Sequence, residues 1–210
     1  MTKMESKILP IVGYSSPILR EVCVEAENKP ENAILIDNLI STMSSIGTAV
    51  GLAAPQVNSN LRIFTMNVYG TLTVVINPIV KKARGKKKSD EGCLSIPGIN
   101  GTVPERSEIL DVEFYDHEFN KKRINLRGFS AIVFQHEFDH LNGILYTDRM
   151  TKEGLEAVND KLSDITKGIY TSNYEIFFPK TDIIIQPVKE NIQNVDFTEY
   201  VKEVKNIYLK

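Results

Sequence analysis

Cysteine is scarce in this sequence, which excludes a fold held together by disulfide bonds. Only Cys23 and Cys93 occur in the 210 residues, whereas small secreted domains of that kind carry several cysteine pairs. Long hydrophobic runs are also missing, so no segment reaches the length of a transmembrane helix. The apolar stretch at residues 8–12 is interrupted by Pro10 and is too short for a signal peptide. We therefore expect a cytoplasmic protein with no membrane partner.

A surplus of either charge is absent as well. The 25 basic and 27 acidic residues give a formal net charge of -2, which favours neither nucleic acid nor an anionic membrane as a partner. The most basic stretch, residues 81–88, contains no aromatic side chain on which a base could stack. We predict a solvated loop there and no specificity for nucleic acid.

The order of the predicted elements indicates an α+β fold. Apolar residues recur at helical spacing over residues 31–45 and again over 128–141. Between them, two pairs of strands are predicted, 61–68 with 73–80 around Tyr69-Gly70, and 109–116 with 122–126. Because strands come first and the second helix comes late, we expect antiparallel sheets packed around that helix rather than a parallel sheet. Another helical pattern, from Leu155 to Ile165, follows.

The second predicted helix carries a metal-binding motif, QHEFDH at residues 135–140. His136 and His140 are four residues apart, about 40° beyond one full turn, so both can bind one ion from the same helix face. Glu137 lies next to the first histidine, where its carboxylate can reach a water bound to that ion. A catalytic site of this kind needs a third protein ligand, and the sequence alone leaves several candidates open. These are His117, Cys23, Cys93 and downstream carboxylates such as Glu153 and Glu156.

Three separated motifs together resemble one known family. GLAAPQ at residues 51–56, EGCLS at 91–95 and QHEFDH at 135–140 are similar, in this order and spacing, to the signature motifs of the peptide deformylase family. The similarity covers about residues 8–149. It implies a deformylase-like α+β fold and a metal-dependent hydrolase that removes the formyl group from the N-terminal formyl-methionine of new polypeptides, releasing formate.

The resemblance also assigns roles to individual residues. It implies that Cys93, His136 and His140 hold one divalent metal ion, iron(II) in the cell and zinc or nickel in some preparations. Glu137 is then the acid/base, while the Gln56 side chain and the Leu94 amide donate hydrogen bonds to the developing oxyanion. Small or apolar residues near the ligands are candidates to line a methionine pocket, although ordinary core packing explains each equally well. They are Val50, Gly51, Ile96, Ile132 and Val133.

This chain departs from the family pattern at three places. Ala49 replaces a glycine that usually lies beside the bound peptide, and Glu105 replaces a basic residue that often follows the Val-Pro pair. The chain also continues well beyond Arg149. We predict a catalytic domain at residues 1–168 and a C-terminal extension of strand and helix at 169–210, with the last helix around 197–208. The extension is expected either to pack on the catalytic domain or to serve an interaction.

Two other functions remain compatible with the sequence. The first is a zinc endopeptidase in which Cys93 is structural and a downstream carboxylate supplies the third ligand. The second is a binding protein that keeps the site but uses the C-terminal segment and the basic run to contact a partner such as the ribosome.

Overall fold

The computed structural model describes residues 6–178 and the backbone of 183–185. Three α-helices lie in this part of the chain: α1 (Pro30–Ser45), α2 (Phe129–His140) and α3 (Lys152–Thr166). Short 3-10 helices span Pro17–Arg20, Ala54–Val57 and Tyr146–Arg149. The strands are β1 (Ile11–Val12), β2 (Gly51–Ala53), β3 (Ile63–Val68), β4 (Thr71–Arg84), β5 (Lys87–Cys93), β6 (Ile96–Arg106), β7 (Ile109–Tyr115), β8 (Lys121–Arg127), β9 (Ile176–Phe178) and β10 (Ile183–Ile185).

The strands form three sheets, and the predicted α+β class is confirmed. The largest is antiparallel, with the order β2-β3-β4-β7-β8, and a second sheet consists of the β5–β6 hairpin. The third has the order β1-β9-β10. Here β1 pairs with β9 in parallel, so one pair of strands departs from the antiparallel arrangement that we expected.

Helix α2 packs against the five-stranded sheet through its apolar side chains, and the helix predicted at 128–141 is confirmed. It begins after Gly128, whose φ of 58° lies in the left-handed region that glycine tolerates best. Ala131 and Phe134 are fully buried, and the Phe134 ring meets the edge of Phe64 from β3 at 5.2 Å between centroids. This packing fixes the rotation of α2 and therefore the direction of its histidines.

The predicted hairpin formed by β3 and β4 is also confirmed. Val68 pairs with Thr71, so Tyr69 and Gly70 form a two-residue turn in which both φ angles are positive. That is the geometry of the type I′ turn, whose twist matches that of paired strands.

The prediction of a solvated loop at residues 81–88 is wrong. β4 continues to Arg84, the chain turns at Gly85-Lys86, and β5 starts at Lys87. The strand continues because β7 provides a pairing partner as far as Arg84, which the charge pattern did not reveal. All eight residues are nevertheless exposed, and lysines at the borders of sheets hinder unwanted strand pairing.

The chain after α3 returns to the main body. Through β9 it pairs with β1, and Ile176 is fully buried with Val12 and Leu19 in one apolar cluster. The helix that we predicted around 197–208 lies outside the described residues. Within the described part of the chain, no helix is long and apolar enough to cross a membrane.

The burial of Ile176 leads to a prediction about stability. Truncating this side chain in Ile176→Ala should lower the free energy of unfolding by about 2–5 kcal/mol, because it removes apolar contacts and leaves a cavity. Ile169→Ala is the matched control, since Ile169 is 41% exposed and should change that free energy by about 0.5 kcal/mol or less. Urea unfolding measures both. Equal stabilities of the two variants would show that β9 does not contribute to the core.

Candidate metal centre

Three potential metal ligands converge at one point of the structure. Cys93 ends β5, while His136 and His140 project from successive turns of α2. Their ligand atoms all lie within 4.8 Å of one another, and Cys93 Sγ is 3.3 Å from His140 Nε2. Metal bonds to sulfur and imidazole nitrogen are about 2.0–2.3 Å long, so the three atoms are close enough to share one ion.

The other candidates for a third ligand do not join this group. His117 is exposed in the turn between β7 and β8, and Glu153 and Glu156 are exposed on α3. Cys23 is buried elsewhere, and burial raises the pKa of its thiol to about 11. Of the candidates that the residue pattern had left open, Cys93 is thus the one that lies beside both histidines in the described part of the chain.

Glu91 orients the first histidine. Its Oε2 accepts a hydrogen bond of 2.8 Å from His136 Nδ1, which leaves His136 Nε2 free to bind a metal. Arg106 donates to both carboxylate oxygens of Glu91, at 2.8 Å each. Burial favours the neutral form of this carboxyl, but the hydrogen bonds from Arg106 and His136 outweigh it and hold the pKa of Glu91 at about 2.

Arg106 extends this arrangement to a second buried carboxylate. It is 2% exposed, and it also donates to Asp139 Oδ2 at 2.5 Å. Arg149 donates to both oxygens of Asp139, again at 2.5 Å. Two carboxylates are thus matched by two guanidinium groups, which compensates for the cost of burying the charges. We call this set, the buried Glu91, Arg106 and Asp139 together with Arg149, whose side chain is 39% exposed, the buried charge network.

The sequence interpretation missed the buried charge network. One signal was available for Glu91, because it lies two residues before Cys93 on a strand, where side chains of alternate residues share a face. A basic residue does follow the Val-Pro pair, one position later than in the family pattern. The side chain of this residue, Arg106, is buried. The side chain of Glu105 is exposed and pairs with Lys86 at 2.5 Å.

Glu137 lies in a different environment from Glu91. It is 4% exposed, and its Oε2 has no hydrogen-bond partner among the described residues. Burial is the main cause that raises the pKa of Glu137 to about 7. Gly51 in β2 makes room for it, since a Cβ atom at that position would lie 2.3 Å from Glu137 Oε1. The sequence had assigned Gly51 to the substrate pocket, and the structure places it against this carboxyl as well.

Gln56 reaches the centre from the 3-10 helix that follows β2. Its Oε1 accepts a hydrogen bond of 2.9 Å from the Ala53 amide, which fixes the orientation of the side-chain amide. Its Nε2 lies 3.4 Å from Cys93 Sγ and 3.5 Å from Ser95 Oγ. A donor is therefore held beside the ligand group by the fold itself.

A cavity of about 450 Å³ opens beside the three ligands. His140 is 1% exposed and does not line the cavity itself. Tyr146, which the sequence did not single out, stacks on His136 with ring centroids 6.1 Å apart. All the other site residues predicted from the sequence line this one cavity: Val50, Gly51, Gln56, Cys93, Leu94, Ile96, Ile132, Val133, His136 and Glu137.

One thiol and two imidazoles beside a buried carboxyl are the groups that a metal-dependent hydrolase requires. Comparison with known proteins identifies the family, because the profile described as "Polypeptide deformylase" matches residues 8–156. A peptide deformylase of Chlorobium luteolum is 37% identical over an alignment of 177 residues, and the match covers 80% of this chain and 92% of the relative. The chain belongs to the polypeptide deformylase family. Its activity is metal-dependent removal of the N-formyl group from new polypeptides, at a single metal site.

Solved structures agree with this assignment. The peptide deformylase of Thermus thermophilus matches with a TM-score of 0.73 and 35% identity, covering 77% of this chain and 99% of that one. The Plasmodium falciparum enzyme, solved with an inhibitor, gives 0.69 and 38% identity over 75% of this chain and 99% of its own. The predicted resemblance and fold are thereby confirmed.

The contact between Glu91 and His136 generates a prediction about metal affinity. Glu91→Gln keeps the volume of the side chain but removes the negative charge that orients His136. The affinity of the protein for zinc should therefore fall by about 10- to 100-fold. Competition with a chromophoric chelator measures this. Asp90→Asn is the matched control, because Asp90 is the exposed neighbour on the same strand and should leave the affinity unchanged. Equal affinities for Glu91→Gln and the unaltered protein would contradict a role for this contact in metal binding.

Proposed function

We propose that Cys93, His136 and His140 hold the metal ion of this deformylase and that Glu137, Gln56 and the Leu94 amide act on the formyl group. The observation that carries the proposal is the convergence of the three ligand atoms within 4.8 Å beside a buried carboxyl. The donor set fits a divalent ion, because Glu91 leaves His136 Nε2 free and the Cys93 thiolate cancels one positive charge.

Proton transfer is the proposed role of Glu137. A divalent ion held by Cys93, His136 and His140 would supply a Lewis acid, the kind of group that makes water ionise at near-neutral pH. Glu137 takes one proton from the water whose oxygen adds to the formyl carbon. It then delivers that proton to the nitrogen as the carbon–nitrogen bond breaks, which gives a free amine and formic acid. The formic acid loses its remaining proton to the solvent and leaves as formate. The Glu137 carboxylate is available to accept the proton of the water, since Glu137 Oε2 has no hydrogen-bond partner among the described residues.

Gln56 and Leu94 are proposed to stabilise the negative charge that develops on the formyl oxygen. The Gln56 Nε2 donor is already oriented by the Ala53 amide, so little reorganisation is needed when the charge appears. Removing one donor of this kind typically costs about 10²–10³ in kcat.

The cavity fits a peptide that begins with formyl-methionine. Ile96, Ile132 and Val133 provide an apolar wall suited to a long, unbranched side chain. β2 lies at the edge of the five-stranded sheet, so the peptide backbone can pair with it as an added strand. Such pairing tolerates many sequences, as nascent chains require. Ala49 also lines the cavity, so we expect this departure from the family pattern to alter the approach of the peptide.

We further propose iron(II) as the metal in the cell and the cytoplasm as the location, with zinc or nickel able to replace the iron in purified protein. We also infer that residues 1–168 form the catalytic domain and that the extension at 169–210 packs on it through β9. The exposed basic side chains of the β4–β5 hairpin are a candidate contact with the ribosome. Co-sedimentation with ribosomes at low and high salt tests that contact, and no binding at low salt would remove it.

The catalytic assignment predicts a loss of turnover in one variant. Iron-loaded protein should release formate from a formyl-Met-Ala-Ser peptide without oxygen, and Glu137→Gln should lower kcat by about 10²–10⁴ because the proton carrier is lost. Glu153→Gln is the control, since this exposed carboxylate was one of the candidates for the third ligand and should leave kcat unchanged. The proposal fails if unaltered protein with one metal per chain releases no formate. Loss of activity in Glu153→Gln would instead support the endopeptidase-type ligand set.

The metal assignment predicts sensitivity to oxygen. An iron(II)–thiolate centre contains both an oxidisable metal and a sulfur that oxygen species attack. Iron-loaded protein should therefore lose deformylase activity in air faster than nickel-loaded protein. The measurement is the half-life of deformylase activity in air for the iron-loaded and the nickel-loaded protein, each with and without a reductant. Equal lifetimes would count against iron oxidation as the cause of inactivation.

A further inference from the structure

The turn between β5 and β6 carries one of the two proposed oxyanion donors. Cys93 pairs with Ile96, so Leu94 and Ser95 alone form the turn, and Leu94 lines the cavity. A two-residue turn at the end of a two-stranded sheet has few partners of its own. Its exact position matters, because an oxyanion donor acts only when it is already directed at the developing charge.

Two side chains from distant parts of the chain hold this turn. On one side, Gln56 Nε2 lies 3.5 Å from Ser95 Oγ. On the other side, the Tyr174 hydroxyl donates a hydrogen bond of 2.8 Å to the Leu94 carbonyl oxygen. Tyr174 also lines the cavity, although it lies 80 positions after Leu94 and beyond the residues matched by the family profile, 8–156.

Tyr174 is itself fixed by its surroundings. Ser172 Oγ accepts a hydrogen bond from the Tyr174 amide at 3.1 Å and donates to the Tyr174 carbonyl at 2.8 Å. Two residues later the chain enters β9, which pairs with β1 and buries Ile176 completely. The Tyr174 side chain thus lies between a local turn and a buried strand, which limit its movement. Its hydrogen bond therefore restricts the movement of Leu94 as well.

We propose that Tyr174 is a positioning residue for deformylation. Its hydroxyl holds the carbonyl end of Leu94, which limits rotation of this residue and keeps the Leu94 amide in place as an oxyanion donor. The inference rests on the proposed role of Leu94. It gives the segment after α3 a function in turnover, in addition to its contribution to packing.

The hydroxyl can be removed without disturbing the ring. Tyr174→Phe should lower kcat by about 2- to 10-fold, the size of one neutral hydrogen bond, and less than the loss expected for a donor itself. KM should stay within about twofold, because the oxyanion develops only in the transition state. A merely structural role would instead change stability and leave the kcat of the folded enzyme unaltered.

Tyr170→Phe is the matched control in the same segment. The Tyr170 hydroxyl is buried without a hydrogen-bond partner among the described residues, so its removal should leave kcat unchanged. Ser172→Ala is a second test, since it loosens the turn that presents Tyr174 and should lower kcat in the same direction but by less. Metal content and thermal midpoint are measured for each variant, so that kcat refers to loaded and folded enzyme.

The outcomes separate this inference from the proposed function. If the unaltered protein is active and Gln56→Leu lowers kcat, but Tyr174→Phe and Ser172→Ala both keep the full kcat, the role of Tyr174 is overturned and the proposed function stands. An equal loss in Tyr170→Phe and Tyr174→Phe also overturns it, because the effect is then not specific to the bond with Leu94. Absence of formate release by the unaltered protein overturns the proposed function itself.

Discussion

The hydrogen bonds that Arg106 makes to Glu91 and Asp139 are the constraint on which the rest of the site depends. The Arg106 side chain is 2% exposed and links the end of β6 to β5 and to α2. Arg149 links the 3-10 helix Tyr146–Arg149 to Asp139 of α2 as well. Removing one partner of a buried ion pair typically costs about 3–5 kcal/mol, because the other charge is left without compensation. The network therefore stabilises the alignment of the hairpin that carries Cys93 with the helix that carries both histidines.

The same network separates the chemistry of neighbouring carboxyls. Glu91 and Asp139 receive hydrogen bonds from arginine, whereas Glu137 faces the cavity without one in the described part of the chain. The pKa of Glu91 is held at about 2, while burial raises that of Glu137 to about 7. Groups of one type thus take different roles because of their surroundings. Glu91 remains a fixed charge that orients His136, and Glu137 is able to exchange a proton.

Much of this arrangement was predictable from local sequence. The spacing of His136 and His140, the turn at Tyr69-Gly70 and the period of α2 are local signals, and each predicted the correct element. The role of Arg106 could not be predicted in this way, because its partners lie 15 and 33 positions away. In addition, Arg106 lies one position after the place where the family pattern has its basic residue. The basic run at 81–88 was misjudged for a related reason, since charge indicates exposure but does not reveal whether a neighbouring strand is present. Tyr174 likewise has its function, as proposed, only through a contact made by the tertiary fold.

The most direct measurement is X-ray absorption at the metal edge of zinc-loaded protein, which counts the ligand atoms around the ion. A site formed by Cys93, His136 and His140 predicts one sulfur at about 2.3 Å and two imidazole nitrogens at about 2.0–2.1 Å. The Cys93→Ala variant should lose the sulfur contribution, whereas Cys23→Ala should retain it. A spectrum without sulfur, or one that the Cys93 substitution leaves unchanged, would contradict a metal centre shared between the β5–β6 hairpin and α2.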